Sequence, residues 1–434
     1  MKDREIHFRK KNLSAFKNFL RTRYERLAGE VRVHSYPFHA FIDPSSICHL
    51  SCPTCPTGLE NASKKTGQRM HYRNRTLMSM DLFNWLIDEL GEYLFMISFF
   101  NWGEPLMNKN LPRFIKKAQA LDIYTEIHTH LSLRLSDQAM EDLLLSGVDE
   151  IAVSIDGFSK ETYPIYRRGG NLDLVLNNLE RLKTLNDRLG LNTKIIWNFL
   201  VFSFNEHEVK TARKYCENLG VFFNPRDAYI DIEKNPDWLP SYRRGEANKK
   251  AGEPLSPKEP GRSCAWHYYY SALNSDGSVS PCCALWDQSN DFGTILTGTT
   301  CFADIWNNSL FMKARSLFSS KITIQFPEIK TYCEKCPSEG LKDLFSFDQQ
   351  VQLRFKEIFS GVEPLMEECF RLLNHKKEFL DFYQDILKAE VPKFSIKYYS
   401  TRTVFSPVFM NLLQRCARGL FRKILRWKRS IISG

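Results

Sequence analysis

The sequence lacks any apolar run long enough to span a bilayer, and its N-terminus, MKDREIHFRKKN, lacks the apolar core of a signal peptide. It also lacks a low-complexity tract, and its composition of 43% hydrophobic and 25% charged residues is typical of a folded protein. These absences argue against an integral membrane protein, an exported protein and a disordered chain, and we expect a cytoplasmic location. In that compartment the twelve cysteines should be reduced, so clusters among them indicate metal sites rather than disulfides.

Over most of the chain there is no excess of charge of either sign. The net charge of +10 comes from residues 391–434, which hold ten Lys or Arg and no Asp or Glu. Without these ten, 50 basic residues remain against 50 acidic ones. The main body is therefore not a nucleic-acid-binding surface by composition, and no nucleic-acid partner is expected.

Short apolar runs alternate with amphipathic stretches from residue 39 to about residue 232. This rhythm predicts parallel strands joined by crossover helices, in a partial barrel or an open α/β sheet. A basic helix is predicted before it, in residues 1–38, and a polar, Pro- and Gly-containing linker after it, in residues 234–263. A cysteine-containing region follows at residues 264–340, and residues 341–434 read as a helical extension.

Three cysteines lie within eight positions of the stretch ICHLSCPTCP, at Cys48, Cys52 and Cys55. Thiolates are soft ligands that select zinc, copper(I) or iron–sulfur clusters. A 4Fe–4S cluster held by three thiolates keeps one iron with an open coordination position, where chemistry can take place. The alternative is a zinc site with His49 or a distant residue as the fourth ligand.

The CxxxCxxC spacing, placed after a first strand and followed by a βα repeat, resembles the radical S-adenosylmethionine (SAM) enzymes. The resemblance implies a partial (β/α)6 TIM-type barrel in residues 39–233 and a 4Fe–4S cluster on the three cysteines. It also implies that SAM chelates the fourth iron and is cleaved reductively to a 5′-deoxyadenosyl radical, which abstracts a hydrogen atom from the substrate.

Further residues fit the same resemblance. NWGEP, after the second predicted strand, resembles the GGE motif of the family, with Gly103, Glu104 and Pro105 in its positions. A glycine allows close approach of the backbone, and a carboxylate can receive the ammonium group of SAM.

Three more positions are assigned to SAM by the resemblance. Ser154 is expected near the carboxylate or ribose of SAM, and Arg167, or its neighbour Arg168, is a candidate carboxylate partner. His130 stands where many relatives have the Asn of a Thr-Asn-Gly sequence, so it is a candidate contact that departs from the family pattern.

A second set of cysteines lies between residues 264 and 337. Spacing alone fits a zinc ribbon, in which a hairpin at NSDGS brings Cys264 near Cys282 and the CEKC sequence adds Cys333 and Cys336. Behind a radical SAM core, the pattern C-x12-G-x4-C followed by CxxC resembles the SPASM/twitch extension, which implies a small α+β domain in residues 264–340. The resemblance implies one auxiliary 4Fe–4S cluster ligated by these four cysteines, although Cys283 is an alternative to Cys282.

An auxiliary cluster with four protein ligands can accept an electron but offers no open site. We therefore expect oxidation or another C–H functionalisation of a sugar-like or otherwise hydroxylated small molecule, with a reductant such as flavodoxin or ferredoxin. Asp156, Glu206 and Asp227 are candidate bases near predicted strand ends. The competing hypotheses are a SPASM-type maturase that modifies a ribosomal peptide, and a non-catalytic zinc protein with a basic tail.

The tail itself, residues 406–433, has an apolar stripe at helical spacing opposite a row of Arg and Lys residues. Such a helix can lie peripherally in an anionic membrane interface at the inner face of the membrane, and a lipid-linked substrate would then fit. A helix docked on the protein body with its charges in water explains the same pattern.

Overall fold

Six parallel strands alternate with helices between residues 39 and 227. The computed structural model describes residue 9 and residues 13–67, 70–228, 230–231, 234–243, 264–319, 326 and 328–336, which all belong to one unit spanning residues 8–344. The strands of this part are β1 (His39–Ile42), β2 (Met96–Phe99), β3 (Tyr124–Thr129), β4 (Glu150–Ser154), β5 (Lys194–Val201), β6 (Phe222–Asp227), β7 (Tyr270–Leu273), β8 (Ser278–Ser280) and β9 (Gly293–Thr294). Its helices are α1 (Leu13–Ala28), α2 (Pro56–Thr66), α3 (Met80–Leu90), α4 (Leu111–Gln119), α5 (Asp137–Leu144), α6 (Tyr163–Tyr166), α7 (Leu172–Arg188), α8 (Val209–Leu219), α9 (Trp266–Tyr269), α10 (Phe302–Trp306) and α11 (Ser309–Ser316).

Side-chain caps define where several crossover helices begin. The hydroxyl of Ser79 accepts a hydrogen bond from Leu82 N at the start of α3, and Ser136 does the same for Ala139 N at α5. These caps satisfy backbone N–H groups that have no partner within the helix. The strands between the helices are short and mostly buried, as in a parallel sheet covered by helices.

The strands form one sheet in the order β6-β5-β4-β3-β2-β1-β7-β8-β9. Strands β1 to β6 are parallel neighbours in chain order, so the predicted α/β partial barrel is confirmed. Parallel order places all carboxyl ends of these strands at one edge, where binding sites of such folds lie.

The second cysteine region, predicted as a small α+β domain, continues the sheet of the barrel. Strand β7 pairs in parallel with β1, and β8 and β9 follow it as antiparallel neighbours. The Phe41 ring on β1 lies 5.0 Å from the Trp266 ring just before β7. The physical reason is that β1 would otherwise present an unpaired strand edge and exposed aromatic surface.

Helix α1 joins the two regions from the amino-terminal side. The Phe19 ring lies 5.1 Å from that of Phe38, which precedes β1. The Arg23 guanidinium lies 4.2 Å above the ring of Tyr269, and Arg26 Nη1 donates to the Tyr269 hydroxyl at 2.9 Å. Two basic side chains of this helix therefore contact the aromatic residue Tyr269, just before β7.

The beginning of the predicted linker packs against the body. Leu239 is buried, and the Trp238 ring lies 5.5 Å from the Phe202 ring, in an apolar cluster that also contains Cys52. These two large apolar residues explain why an otherwise polar segment is held in place here. The segment covers one side of the first cysteine loop.

No helix in the described ranges is both long enough and apolar enough to cross a membrane. The predicted helical extension and the basic amphipathic helix at residues 406–433 lie outside the described residues, and the membrane interaction stays a prediction.

Candidate functional site

The first cysteine loop connects β1 to α2. Cys52 is buried, while Cys48 and Cys55 are half-buried, and all three pack with the same apolar cluster. Cys55 directly precedes α2, and its backbone N donates to Cys52 O at 3.2 Å. From α2, Asn61 Nδ2 donates to Cys48 O at 2.9 Å, which fixes the other end of the loop. The fold thus holds the three thiols in one place.

The electrostatic surroundings of these thiols suit a positively charged metal group. Burial, together with the neighbouring thiols, raises the pKa of Cys48 to about 12, and burial raises that of Cys52 to about 11. Without a cation the thiols would stay protonated, whereas coordination to a metal ion deprotonates a thiol outright. Three soft donors shielded from water therefore fit an iron–sulfur cluster.

Arg167 supplies one positive charge beside the loop. It follows α6, and its Nη1 lies 4.0 Å from Cys52 Sγ, while its Nε donates to Asp156 Oδ2 at 2.5 Å. Asp156 is fully buried and its Oδ1 accepts a hydrogen bond from Leu200 N at 2.7 Å. Asp156, a candidate base from the sequence, therefore pairs with Arg167 and holds its guanidinium next to the cysteine loop.

Gly103 lies directly against the chain that leads into the cysteine loop. A Cβ atom at this position would lie 1.8 Å from Ser45 O, so only glycine fits without a backbone shift. Glu104 N donates to Ile47 O at 2.8 Å, and Pro105 begins a short 3-10 turn, Pro105–Met107. The backbone of the NWGEP sequence is therefore locked onto residues 45–47.

The Glu104 carboxylate is used within the protein. It is buried, and it accepts hydrogen bonds from Thr129 Oγ1 at 2.6 Å, His130 N at 2.9 Å and Leu106 N at 3.1 Å. Burial raises its pKa, and these three donors act in the opposite direction. These contacts tie the loop after β2 to the end of β3, and the contact with the ammonium group of SAM stays a prediction.

His130 lies between Glu104 and the cysteine loop. Its Nδ1 accepts a hydrogen bond from Ser132 N at 2.9 Å, so its proton resides on Nε2, 3.2 Å from Glu104 Oε2. Burial lowers its pKa well below the ordinary value, and the ring is therefore neutral. The ring of His49 lies edge-on at 4.9 Å. His49, the ligand considered in the zinc alternative, thus contacts His130.

Ser154 ends β4 on a polar part of the sheet. In the strand register it lies beside Asn198 of β5, which lies beside Asn224 of β6. Asn224 Nδ2 donates to Asn198 Oδ1 at 2.7 Å. Ser154 is half-buried at the edge that also carries the cysteine loop and the NWGEP sequence.

Asp43 is a site residue that the sequence reasoning did not single out. It follows β1 and is fully buried, and within the described part of the chain neither carboxylate oxygen has a hydrogen bond of standard geometry. Burial raises its pKa to about 7, although the backbone N–H groups of Gly103 and Trp102 oppose the shift. An acidic residue at the end of the apolar stretch AFID, five positions before Cys48, was the available signal.

The other two candidate bases lie on the surface with partners of their own. Glu206 Oε2 accepts hydrogen bonds from Ser241 N at 2.7 Å and Ser241 Oγ at 2.9 Å, and Asp227 Oδ1 accepts one from the Tyr242 hydroxyl at 2.6 Å. Both contacts tie residues 241–242 to the barrel. The choice of a catalytic base stays open.

The second cysteine set surrounds a cavity of about 400 Å³. The cysteines that line it are Cys264, Cys282, Cys333 and Cys336. Cys283 is not among the lining residues, so the structure separates the two neighbours that the sequence left as alternatives. A cavity of this size is far larger than the space of one water molecule, about 10–15 Å³ on a comparable measure. Four thiols around it fit a group larger than a single ion.

His267 and Trp286 also line this cavity. Burial lowers the pKa of His267 to about 3, and burial raises those of Cys282 and Cys333. In the described ranges, no three His, Cys, Asp or Glu side chains are arranged to hold a single metal ion.

Other cysteines have different surroundings. Cys301 Sγ lies 2.8 Å from Asp304 Oδ2 at the start of α10, and Cys216 is buried on α8. Cys369 lies outside the described residues.

Two family models match the chain. The radical SAM superfamily matches residues 42–212, and an iron–sulfur cluster-binding domain, SPASM, matches residues 264–337. The first match covers the three-cysteine loop and strands β2 to β5, and the second covers all four cysteines of the cavity.

Curated relatives match over shorter stretches. PqqA peptide cyclase of Granulibacter bethesdensis is 30% identical over 116 residues, which are 26% of this chain and 28% of that protein. GTP 3′,8-cyclase of Hydrogenovibrio crunogenus is 35% identical over 120 residues, covering 27% of this chain and 35% of that protein. The chain spans from 28% to 59% of the length of the first curated relatives that it matches.

Among solved structures, Streptococcus suis SuiB bound to S-adenosylmethionine has a TM-score of 0.46 at 15% identity, covering 65% of this chain and 68% of that one. BtrN in complex with AdoMet and 2-DOIA has a TM-score of 0.39 at 16% identity, covering 66% of this chain and 88% of that one.

The two matched families determine the cofactors. A radical SAM domain implies a 4Fe–4S cluster and SAM, and the SPASM domain implies an auxiliary iron–sulfur cluster. The chain belongs to the radical SAM superfamily and carries a carboxyl-terminal iron–sulfur domain of the SPASM type.

Proposed function

We propose that this protein is an enzyme that cleaves SAM reductively and removes a hydrogen atom from its substrate. The observation that supports this most directly is the placement of three buried or half-buried thiols on one loop beside Arg167 and the NWGEP backbone. When bound, the cluster and SAM supply one-electron cleavage of a carbon–sulfur bond and, from it, the species that abstracts hydrogen. The protein residues hold, shield and orient these groups.

Cys48, Cys52 and Cys55 are the proposed ligands of the first cluster. Arg167 neutralises part of the thiolate charge, since its Nη1 lies 4.0 Å from Cys52 Sγ, and it is the proposed partner of the SAM carboxylate. The backbone at Gly103 provides the close approach for the methionine part of SAM. Glu104 and His130 keep that backbone in place through their mutual contacts.

Ser154 is the proposed contact to the carboxylate or ribose of SAM. It lies half-buried at the strand edge that carries the cysteine loop, beside Asn198 in the strand register. Asn198 and Asn224 extend this polar row across β5 and β6.

For the second site we propose one auxiliary 4Fe–4S cluster held by Cys264, Cys282, Cys333 and Cys336. With all four positions taken by protein thiolates, its role is to accept the electron that the substrate loses when it is oxidised. The polar row of Ser154, Asn198 and Asn224 suits a hydroxylated substrate. The proposed substrate is therefore sugar-like, free or lipid-linked, and the proposed electron donor is a flavodoxin or a ferredoxin.

A peptide substrate is the second candidate. It is favoured by the match over 116 residues to a protein named for peptide cyclisation, PqqA peptide cyclase of Granulibacter bethesdensis. This match covers 28% of that protein, so it justifies a test with peptides but does not assign the substrate of that protein to this chain.

The test is formation of 5′-deoxyadenosine by anaerobically reconstituted protein, with a chemical reductant and SAM. A panel of hydroxylated small molecules and glycolipids is compared with a panel of small peptides encoded next to the gene. Stimulation by one panel identifies the class of substrate. Colourless protein that contains zinc and forms no 5′-deoxyadenosine would overturn the proposed function.

A further inference from the structure

His267 lies at the wall of the four-cysteine cavity, three residues after Cys264 in the sequence. It is 2% exposed and sits on the short helix α9. Its Nε2 lies 3.6 Å from Cys333 Sγ, within hydrogen-bond range for a sulfur atom. Its other ring nitrogen, Nδ1, is buried and has no hydrogen-bond partner among the residues that the structure describes. The hydrogen-bonding nitrogen of the imidazole is therefore directed at a proposed cluster ligand.

Contacts with Arg315 and Phe318 fix the position of the His267 ring. Arg315 Nε donates to His267 O at 2.8 Å, and Arg315 is itself fully buried on α11. Arg315 Nη1 also lies 3.2 Å from Val31 O, so it connects α9 to the segment after α1. The Phe318 ring lies 5.9 Å from the imidazole. These contacts keep Nε2 next to Cys333.

The direction of the hydrogen bond follows from the chemistry of the acceptor. A thiolate that ligates iron has no proton and can only accept, so Nε2 must carry the hydrogen. With that tautomer, Nδ1 is left as an unsatisfied acceptor and not as a buried unpaired N–H.

Hydrogen bonds to cluster sulfurs and nearby charge are two main determinants of an iron–sulfur reduction potential. Four cysteinates give a 4Fe–4S cluster a net negative charge, which grows by one unit when the cluster gains an electron. A donor on one sulfur and a buried guanidinium nearby both stabilise the more negative, reduced form.

We propose that His267 donates a hydrogen bond from Nε2 to the Cys333 thiolate and, with Arg315 behind it, raises the reduction potential of the auxiliary cluster. The inference rests on the proposed function, in which this cluster is the electron acceptor. In that reaction the substrate gives up a hydrogen atom to SAM-derived carbon, then one proton to a base and one electron to the auxiliary cluster. His267 is a positioning residue that makes this transfer more favourable.

The test is a potentiometric titration, followed by electron paramagnetic resonance, of protein in which Cys48, Cys52 and Cys55 are replaced by Ala. This background leaves the auxiliary cluster as the sole proposed iron site. His267→Phe fills similar space without the donor, and Tyr332→Phe, at the same cavity, is the matched control. The loss of a hydrogen bond to a charged group should make reduction about tenfold less favourable, a shift of about 59 mV to more negative potential. Tyr332→Phe should leave the midpoint in place.

Pulsed resonance on the same background with native His267 gives a second readout that does not depend on a His267 variant. We expect a weak nitrogen coupling and an exchangeable proton coupling that disappears in deuterated buffer. A strong coupling from directly bound nitrogen, the absence of both couplings, or an unshifted midpoint in His267→Phe would overturn the proposal. Absence of iron from this background would overturn the proposed function as well, so the two failures are distinguishable.

Discussion

The two cysteine sites are built in opposite ways. The first takes its three thiols from eight consecutive positions of one loop and takes its surroundings from the ends of several strands. The second takes its thiols from residues 264 to 336 and depends on β7 and β8 to bring them together. Local spacing therefore encodes the first site, whereas the fold assembles the second.

The polar and charged groups around the two sites also differ. Three buried carboxyl groups, Asp43, Glu104 and Asp156, surround the backbone and the guanidinium next to the first site. The second site has a buried imidazole and, behind it, a buried guanidinium. In the proposed function, the buried carboxyl groups suit a site that binds the cationic cosubstrate SAM, and the buried guanidinium suits a cluster that accepts an electron.

The largest expected effect tests whether the two sites form independently, and it is the loss of the first cluster alone. Replacing Cys48, Cys52 and Cys55 by Ala should abolish 5′-deoxyadenosine formation and remove about half of the iron, because the second site has its own ligands. Iron analysis and visible absorbance of anaerobically reconstituted protein measure this. Loss of all iron would contradict the auxiliary cluster proposed for the second site, and with it the proposed function.

The next prediction concerns the two adjacent cysteines of the second site. Cys282→Ala should remove the auxiliary cluster, since Cys282 lines the cavity, while Cys283→Ala is the matched control and should retain it. Iron content and the resonance signal of the background without the first cluster distinguish them. Loss of the cluster in Cys283→Ala with retention in Cys282→Ala would identify Cys283 as the ligand and contradict the lining of the cavity.

Only features with a short local pattern could be predicted from the sequence. These are the three cysteines Cys48, Cys52 and Cys55, the alternating strands and the position of NWGEP. The sequence left Cys283 open as an alternative to Cys282, because the side-chain directions of these neighbours depend on the turn that follows β8. The pairing of β7 with β1 was not predicted either, since it is a contact between segments more than 200 residues apart.

The roles of the polar residues at the first site were the hardest to predict. Glu104 was assigned to the ammonium group of SAM and Asp156 was a candidate base, but their protein partners, which come from strands β3 and β5 and from Arg167, were not predicted. Asp43 carries no motif of its own, since its surroundings arise only when the NWGEP backbone is placed against the chain after β1. Burial and pairing of this kind depend on tertiary contacts that no local pattern contains.

A smaller effect tests whether the first site depends on its backbone contacts. Gly103→Ala places a Cβ atom 1.8 Å from Ser45 O, so the NWGEP loop must move, at a cost of about 1–3 kcal/mol in unfolding free energy. SAM cleavage should fall strongly while the auxiliary cluster is retained. Gly190→Ala is the control for stability loss alone, since φ is +62° there and no atom of the described residues lies within 4 Å of the added Cβ. Equal SAM cleavage by the two variants would contradict the role of Gly103.

The smallest expected effect is the pH dependence that Asp43 gives to stability. Its pKa is raised from 3.8 to about 7 by burial, so between these values the folded protein binds more protons than the unfolded chain. The contribution of this group to stability is then fully present below pH 4, falls as pH rises towards 7, and stays low above it, with a slope of at most about 1.4 kcal/mol per pH unit.

Urea unfolding of metal-free protein between pH 5.5 and pH 8 measures this slope, because about half of the window lies below the raised pKa. Asp43→Asn should flatten the profile, since an amide does not titrate, whereas Asp173→Asn, at a side chain that is 68% exposed, should leave it unchanged. A wild-type profile as flat as that of Asp43→Asn would mean that the Trp102 and Gly103 amides keep the carboxylate ionised. The first site would then hold a permanent negative charge at the end of β1, which makes its contrast with the second site sharper.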